Sequence, residues 1–505
     1  MAQDVHTLLK SIGPSLTSDL IAEMVKAGAS ESAARKRVQR EQESFDVQRL
    51  AGLRFEKNAR FMYLVDQYGT SKFWQRFDDA CRRAGKSYWS TIALLKARGG
   101  VIAQDFFPIV AGTPQARQRQ LSPDRIFERL RAINVLETFE DDGRSYVRFR
   151  PLSYPRQSLA MVRAEEIAEN IALQGIKDWA RRIGFGSYGK FVVRGDDAPS
   201  IVSGIQWSMT APSYMRPLVS IDGGAAKPGF FVCDINLHDV IGEEEALAFV
   251  RKCDLAAAPK KVAPIMPMLV AHVFSAEALS ILRSKGILAV TLQNLFREEL
   301  SDALRELVVL LTDLGARAAA NPDHIRKVMN TLTKIEGGAE NLRGALFELV
   351  VGSLVKDVEG GYLVTGERRT DLHTGRKAEI DVRLDRGEDK GVLVIECKAK
   401  KPGARVSESD VKRWYEDRVP LIYSMLTTGR DGDLGAYHFE LWTNGYFTDS
   451  AKDWFKRQKS AFDGYSLGLR DGTGLKAYAQ SARNPSLRDT LNEHYFRSPV
   501  MKVIA

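Results

Sequence analysis

At 505 residues the chain is too long for one ordinary core and is expected to hold about three or four domains. Its 44% hydrophobic and 27% charged residues exclude collagen-like, low-complexity and disordered classes. The net charge of +9 favours a polyanionic partner. No apolar run is long enough for a membrane-spanning helix, so no membrane partner is expected. The first residues, Met1–Gly13, lack the basic start and apolar core of a signal peptide. Cys81, Cys233, Cys253 and Cys397 stand far apart with no Cys-x-x-Cys spacing, and read as reduced thiols of a cytoplasmic protein. The histidines show no ligand pattern, and His238 and His272 read as structural.

From Val5 to Arg60 the pattern predicts three helices and a small hairpin. Ser18 or Thr17 caps Asp19–Ala27, Gly28 ends it, and Ser30 with Glu31 starts a second helix through Glu43. That helix carries Arg35, Lys36, Arg37 and Arg40. The runs Phe45–Leu50 and Leu53-Arg54-Phe55 follow as the hairpin. Helix, glycine turn, basic helix and hairpin together resemble a winged helix-turn-helix, which implies major-groove DNA contact by the second helix and phosphate contact by Arg54, Lys57 and Arg60. A similar shape returns over about Ser87–Arg150. Ser122-Pro123 opens a helix through Ala132, and Val135–Phe139 pairs with Ser145–Phe149 across Asp142-Gly143. Its basic positions are Arg117, Arg119, Arg125, Arg129 and Arg131. Winged helices also dock proteins and an Arg-rich helix is often a solvated face, so either use is open to these two modules.

Further on, Glu165–Ile183 is an amphipathic helix, followed by strand-like Phe191–Arg194, Leu218–Ile221 and Phe230–Leu237. Then come a helix from Glu243 to Cys253, a strand from Ile265 to Phe274, a helix opening at Ser275-Ala276-Glu277-Ala278, and a strand over Ile287–Leu292. Strand, Phe-Ser-x-x-Ala helix and strand resemble the back half of Mrr-type restriction endonuclease domains. Ser301–Glu336 reads as a helical spacer broken at Asn321-Pro322, with a dimer seam as the alternative.

The stretch from Gly344 to Lys400 organises the rest. Leu342–Val355 is apolar on nearly every side, so it reads as a buried helix, and Glu348 within it must be paired or metal-bound. Ala378–Leu384 alternates as a half-buried strand would, with Ile380, Val382 and Leu384 on one face and Glu379, Asp381 and Arg383 on the other. Asp385–Gly391 is a polar turn, and Val392–Ile395 an apolar run interrupted by Glu396 and Lys398. A turn centred between Glu388 and Asp389 sets Asp381 opposite Glu396 and Glu379 opposite Lys398. Like charges directly opposite are destabilising unless compensated, and a divalent cation would compensate. Hard carboxylate ligands suit Mg²⁺ or Mn²⁺ rather than Zn²⁺. Lys398 projects from the same face as a point charge.

A helix bearing Gly-x-x-Phe-Glu, then Asp, then Glu-x-Lys on a central strand resembles the PD-(D/E)xK nuclease superfamily. Glu348, Asp381, Glu396 and Lys398 fall on its active-site positions, with Ile380 where the name-giving Pro would stand. The resemblance implies Mg²⁺-dependent phosphodiester hydrolysis, with Asp381, Glu396 and Glu348 holding the metal. The bland reading is a solvated strand edge with a cross-strand Glu379–Lys398 ion pair. Beyond it, a helix from Ser407 through Trp414, a strand over Tyr437–Asn444, a helix opening at Tyr446–Ala451 and a strand at Tyr465–Gly472 repeat the order of the middle region. Phe274-Ser275 and Ala278 match Phe447-Thr448 and Ala451, which suggests a divergent internal duplication, although strand–helix–strand units are common. In the middle copy Glu-x-Lys becomes Asp234-Ile235-Asn236, a catalytically dead version. Lys412 and Arg413 are candidates for phosphate grip.

The expected fold class is therefore α/β multidomain: winged-helix modules at 1–70 and 71–155, a degenerate Mrr-like α/β domain at 156–300, a spacer at 301–338 and an active restriction-endonuclease-like domain at 339–505. The expected function is a metal-dependent DNA endonuclease, by analogy in restriction and antiviral defence against foreign DNA. Repair or recombination nuclease, and non-catalytic DNA-binding regulator, are the alternatives. One active site per chain predicts a homodimer or a nicking enzyme. No Gly-x-x-x-x-Gly-Lys-Ser/Thr stretch occurs, so any ATPase would be a partner.

Overall fold

The structure, a computed structural model, describes residues 4–41, 46–118, 120–141, 143–151, 157–222, 225–259, 262–296, 298–312, 322–333, 338–371, 373–387, 389–400, 404–428, 436–458 and 464–496. The chain is mixed α/β and divides into two compact units, one comprising 1–162 and 179–295, the other 163–178 and 296–505.

The first unit begins with α1 (Val5–Ile12), β1 (Ser15–Leu16), α2 (Thr17–Lys26), α3 (Glu31–Glu41), β2 (Val47–Arg49) and β3 (Phe61–Leu64). The strands form an antiparallel sheet in the order β1-β3-β2. Thr17 does not cap α2: Leu16 holds the cap position with no side-chain bond, and the Thr17 hydroxyl accepts from Arg60 N at 3.1 Å. The helix expected through Glu43 is described to Glu41, and Glu43 lies outside the described residues. The expected hairpin is displaced. Leu53-Arg54-Phe55 is a loop whose two apolar residues are buried in the core, and the returning strand is β3, nearly a turn of chain later. Two apolar residues spaced by two anchor a loop as well as they build a strand, and periodicity cannot tell these apart.

There follow α4 (Ser71–Ala84), α5 (Lys86–Lys96), β4 (Val101–Ala103), α6 (Phe107–Ala111), α7 (Pro123–Ala132), β5 (Leu136–Asp141) and β6 (Arg144–Phe149). The Ser122 hydroxyl caps α7, accepting from Arg125 N at 3.4 Å, and β5 pairs antiparallel with β6 from Leu136↔Phe149 to Asp141↔Arg144. Asp142 lies outside the described residues. One buried cluster runs from Leu16 through Phe73, Trp89 and Val110 to Phe149, so no core boundary falls at residue 70.

Next are α8 (Leu159–Arg182), β7 (Val192–Val193), the hairpin β8 (Ile201–Val202) and β9 (Ile205–Gln206), β10 (Met209–Ser213), the hairpin β11 (Ser220–Asp222) and β12 (Ala225–Lys227), β13 (Gly229–Ile241), α9 (Glu243–Ala257), β14 (Ile265–Phe274), α10 (Ala276–Ser284) and β15 (Leu288–Thr291). The main sheet has the order β15-β14-β13-β10-β7, with β13, β14 and β15 parallel and β10 antiparallel to both neighbours. Leu218–Ile221 is not one of its strands; it is a helical turn leading into the small hairpin. The true strand is β10, masked in the sequence by Pro212, which sits next to its end where a missing donor is tolerated.

The second unit contains α11's successor helices; α11 itself (Leu292–Leu295) closes the first unit. The helices are α12 (Glu298–Thr312), α13 (Pro322–Leu332) and α14 (Gly338–Glu359), and the strands β16 (Tyr362–Thr370), β17 (Lys377–Asp385) and β18 (Val392–Lys398) follow. Asn321, part of the expected spacer break, lies outside the described residues, and Pro322 opens α13. After β18 come β19 (Arg405–Val406), α15 (Glu408–Arg413), a π-helical turn (Trp414–Arg418), α16 (Val419–Thr427), β20 (Tyr437–Thr443), β21 (Tyr446–Phe447), α17 (Asp449–Gln458), β22 (Tyr465–Arg470), α18 (Gly472–Ala479) and α19 (Pro485–Leu491). The helix expected to stop near Trp414 thus continues to Thr427, with Pro420 tolerated in the first turn of α16.

This sheet has the order β16-β17-β18-β20-β22, antiparallel over the first three strands and parallel over the last three. Strand direction and order match the first unit's main sheet, read from β7 to β15. Each sheet follows a long helix, and the two parallel crossovers of each run through helices. The Phe-Ser/Thr-x-x-Ala match has a physical basis: Ser275 accepts from Ala278 N at 3.1 Å and Thr448 from Ala451 N at 3.2 Å, both capping the second crossover helix. β17 is not half-buried. Ile380–Leu384 is covered on both faces, and Arg383 tolerates this by pairing with Glu367 of β16 at 2.7 Å.

The β17–β18 turn sets the register on which the site depends. Gly391 has φ +66°, and a side chain there would run into the Ala436 carbonyl, which accepts from Val392 N at 2.9 Å. Gly387 has φ +86° in open space. Gly391→Ala is expected to cost about 3 kcal/mol in urea unfolding and Gly387→Ala about 1 kcal/mol; equal losses would show that the carbonyl contact is not a constraint.

Candidate active site

α14 packs against β16, β17 and β18, and its Glu348 feels the charges of Glu379, Glu396, Lys398 and Arg418. The β17–β18 register runs Asp385↔Val392, Leu384↔Leu393, Arg383↔Val394, Val382↔Ile395 and stops there. One further step would set Asp381 opposite Glu396, the expected register. Instead the Cys397 N–H donates to Asp381 Oδ2 at 2.7 Å, the carboxylate standing where a ladder carbonyl would. Asp381 and Glu396 are each 8% exposed.

Glu396 has cations on both oxygens. Lys398 Nζ donates to Oε1 at 2.8 Å, and Arg418 donates to Oε2 through Nε at 3.2 Å and Nη2 at 3.0 Å. The Glu379–Lys398 ion pair of the bland reading is not formed among the described residues; Glu379 pairs with Arg163 of α8 at 3.0 Å and Arg368 of β16 at 3.4 Å. Burial, then the charges of Glu379 and Glu396, push Glu348 up to about 7. Burial, then Glu396 and Glu348, raise Asp381 well above the usual carboxylate range against the pull of the Cys397 N–H. For Lys398, burial opposes the charged form, but Glu396 and Asp381 outweigh it and raise the ammonium. Glu348, Asp381, Glu396 and Lys398 therefore feel one another's charge.

Among the described residues, no three His, Cys, Asp or Glu side chains are grouped so as to hold a metal as they stand. The donors nevertheless fit a hard divalent cation in kind. All three are carboxylates, and among the described residues Glu348 has no hydrogen-bond partner. Glu396 has both oxygens held by protein cations.

The other predicted residues are divided. Lys36, Arg37 and Arg40 are exposed on α3, whose buried residues are Ala34 and Val38; Arg35 is exposed too but pairs with Glu31 at 2.6 Å. Arg54 is exposed in its loop, while Arg60 is tied to the Leu53 carbonyl at 3.1 Å. Arg117 donates to the carbonyls of Leu255 and Ser203, and Arg129 to the Tyr88 hydroxyl, so both are structural ties; Arg119 lies outside the described residues. Lys412 pairs with Glu408 at 2.7 Å and lies over Trp454, and Arg413 is exposed; neither joins the carboxylates. Arg418, from the same helical segment, does. Sequence reasoning missed it because the helix was ended at Trp414, one turn too soon.

The corresponding strand of the first unit is chemically closed. Asp234 of β13 accepts from Ser208 N at 2.8 Å and from Lys252 Nζ of α9 at 2.5 Å. Lys252 is 1% exposed, donates also to the Ile109 carbonyl at 3.0 Å and lies 4.5 Å from the Trp207 ring centre. Asn236 donates to the Ala97 carbonyl at 2.9 Å. β10, the neighbouring strand, carries no carboxylate.

No protein-family model and no curated protein matches the chain. Among solved structures, the chain is similar to one titled "Crystal Structure of Protein of Unknown Function AF1548", at 16% identity and a TM-score of 0.20, covering 31% of this chain and 75% of that one. That likeness is too slight to carry an argument.

Removing one partner of a buried ion pair strands the other. Lys252→Met is expected to destabilise the protein by about 3–5 kcal/mol in urea unfolding, with most of the loss recovered by adding Asp234→Asn. A double variant no better than the single one would show that packing of the lysine stem, not its charge, is what matters.

Proposed function

We propose that the chain is a metal-dependent nuclease acting on DNA, with its active site at Glu348, Asp381, Glu396 and Lys398 and with two restriction-endonuclease-like sheets, the first of them inactive. The observation that carries this reading is the convergence of three carboxylates and a lysine from α14, β17 and β18 at the end of the antiparallel ladder. Buried like charges need compensation, and here two protein cations contact Glu396 while Asp381 has a backbone N–H, which leaves room for a bound cation. Asp381, Glu396 and Glu348 would hold Mg²⁺ or Mn²⁺, which when bound would supply Lewis-acid activation of water and of the phosphodiester. Asp381 is oriented by the Cys397 N–H, so its remaining oxygen has a fixed direction. Lys398, with a 40% exposed side chain, offers its charge from the open side of the site to a phosphoryl oxygen as negative charge develops there.

DNA is the substrate we favour because of the exposed basic face of α3 and the net charge of +9. The α1–α3 unit with its three-stranded sheet supports a winged-helix reading, with the wing formed by β2 and β3. Restriction of foreign DNA is the biological role the family resemblance suggests, and a double-strand cut would call for a dimer. A second reading, a DNA-binding regulator with a silent centre, is favoured by one observation: both oxygens of Glu396 already hold protein cations.

Plasmid and phage genomic DNA incubated with Mg²⁺, Mn²⁺ or EDTA separates the two. Cutting is expected with the metals and not with EDTA, and Asp381→Ala and Lys398→Ala are each expected to lower its rate at least about 100-fold. Metal-independent cutting, or unaltered cutting by either variant, would end the reading; DNA binding without any cutting would bring the regulator forward. Separately, Lys36→Ala, Arg37→Ala and Arg40→Ala should each weaken binding to unrelated duplexes alike and reduce the salt slope of log K by about 1. An unchanged slope for all three would remove α3 from the interface.

A further inference from the structure

Glu396 cannot serve a metal ion in the arrangement described, because its two oxygens belong to Lys398 and Arg418. Arg418 does more than pair. Its Nη2 also donates to the Glu379 carbonyl at 2.8 Å, so one guanidinium joins the carboxylate of β18 to the backbone of β17 just beyond the point where the ladder between these strands ends. Arg418 closes the π-helical turn Trp414–Arg418, between α15 and α16. A π turn inserts a residue into the helical ladder, and such irregularities concentrate where a side chain must be aimed off the regular helical face.

We propose that Arg418 is a positioning residue that holds Glu396 while the site is free of metal, gives up Glu396 Oε2 to an entering divalent cation, and then offers its guanidinium to the DNA phosphate bound there. This rests on the nuclease reading above. The physical reasons are three. A buried carboxylate beside two others needs a counter-charge whenever the metal is away, and a protein cation is the substitute at hand. Nε and Nη2 both converge on a single oxygen, a one-oxygen grip and not the two-oxygen fork of the strongest Arg–carboxylate pairs, so it is a contact that can be exchanged. The planar guanidinium then matches a phosphate as well as it matches a carboxylate.

The first unit shows the same device in a form that cannot open. There Lys252, from the helix following β13, neutralises Asp234 on that strand, as Arg418 from the helix following β18 neutralises Glu396. Both cations have further partners, the Ile109 carbonyl and Trp207 ring for Lys252 and the Glu379 carbonyl for Arg418, but the Lys252 side chain is 1% exposed and that of Arg418 24%. Sealed, the cation is a structural plug; left at the edge of solvent, it can be displaced.

The test is calorimetric titration of the full chain with Mn²⁺ in the absence of DNA, comparing wild type with Arg418→Gln, Arg418→Lys and Asp381→Ala, followed by DNA binding in Ca²⁺ for the same set. Arg418→Gln is expected to bind Mn²⁺ about tenfold tighter, since no charge-assisted hydrogen bond has to be broken, and to bind DNA about tenfold more weakly. Arg418→Lys, keeping the charge but not the fork, should fall between it and wild type, and provides the reading if the Gln variant does not fold. Mn²⁺ binding that is abolished by Asp381→Ala but no tighter in either Arg418 variant would overturn the role of Arg418 and leave the nuclease reading standing. No Mn²⁺ binding by wild type or any variant would overturn both. Mn²⁺ binding seen in Arg418→Gln but not in wild type would be the strongest support.

Discussion

Like charge buried in one place is the constraint that the second unit is built around. Glu348, Asp381 and Glu396 come from a helix and two strands, and each is held partly out of water where repulsion among them is least screened. What keeps the arrangement affordable is a ring of partners at hydrogen-bond distance: the Cys397 N–H on Asp381, and Lys398 and Arg418 on Glu396. Arg163 and Arg368 do the same for neighbouring Glu379. Early termination of the β17–β18 ladder is what makes room for them. Had the ladder run on regularly, the Cys397 N–H would have been taken by backbone, and Asp381 would have lacked its only fixed donor among the described residues.

The two units meet the same problem with opposite solutions. Both main sheets carry a buried carboxylate on the central strand and send back a helical segment that supplies a cation. In the first unit the neighbouring strand brings no second carboxylate, the cation is a fully buried lysine, and the next polar position is Asn236, bonded to the Ala97 carbonyl. Charge there is balanced one to one, which serves stability. In the second, carboxylates outnumber the cations in direct contact with them, and the deficit is what a metal ion could fill. The same topology therefore does not imply the same chemistry; the difference lies in three or four side chains.

Much of this was legible because it depends on short-range pattern. The polar turn fixed the register of β17 on β18, and the observed pairs from Asp385↔Val392 to Val382↔Ile395 are those expected. Glu348 stands out as the one acidic residue of the apolar run Leu342–Val355. What escaped had a common cause: elements whose own residues do not advertise their state. β16 carries Glu367, Arg368 and Arg369, whose charges are met by Arg383 and Glu379 across the sheet and, for Arg369, by Glu367 on the same strand. β10 ends near a proline, and Pro420 disguises the start of α16. Arg418 was lost with that helix. Leu53 and Phe55 imitated a strand because burial of a loop uses the same residues.

The exposed and the enclosed cations of the chain answer to different physics, so the proposed recognition and the proposed chemistry would respond to different conditions. α3 is anchored by only two buried residues and turns its basic side chains to solvent, where their effect is long-ranged, additive and weakened by salt. Arg418 and Lys398 sit against carboxylates that are nearly out of water, where the force is short-ranged and little screened, so exchange of one partner for another is governed by geometry. Under the proposed function, salt would loosen the first group's hold on DNA without freeing Glu396, whereas a divalent ion would compete at Glu396 directly. On that proposal the grip would respond to ionic strength and the centre to a specific cation, two controls that rest on different residues.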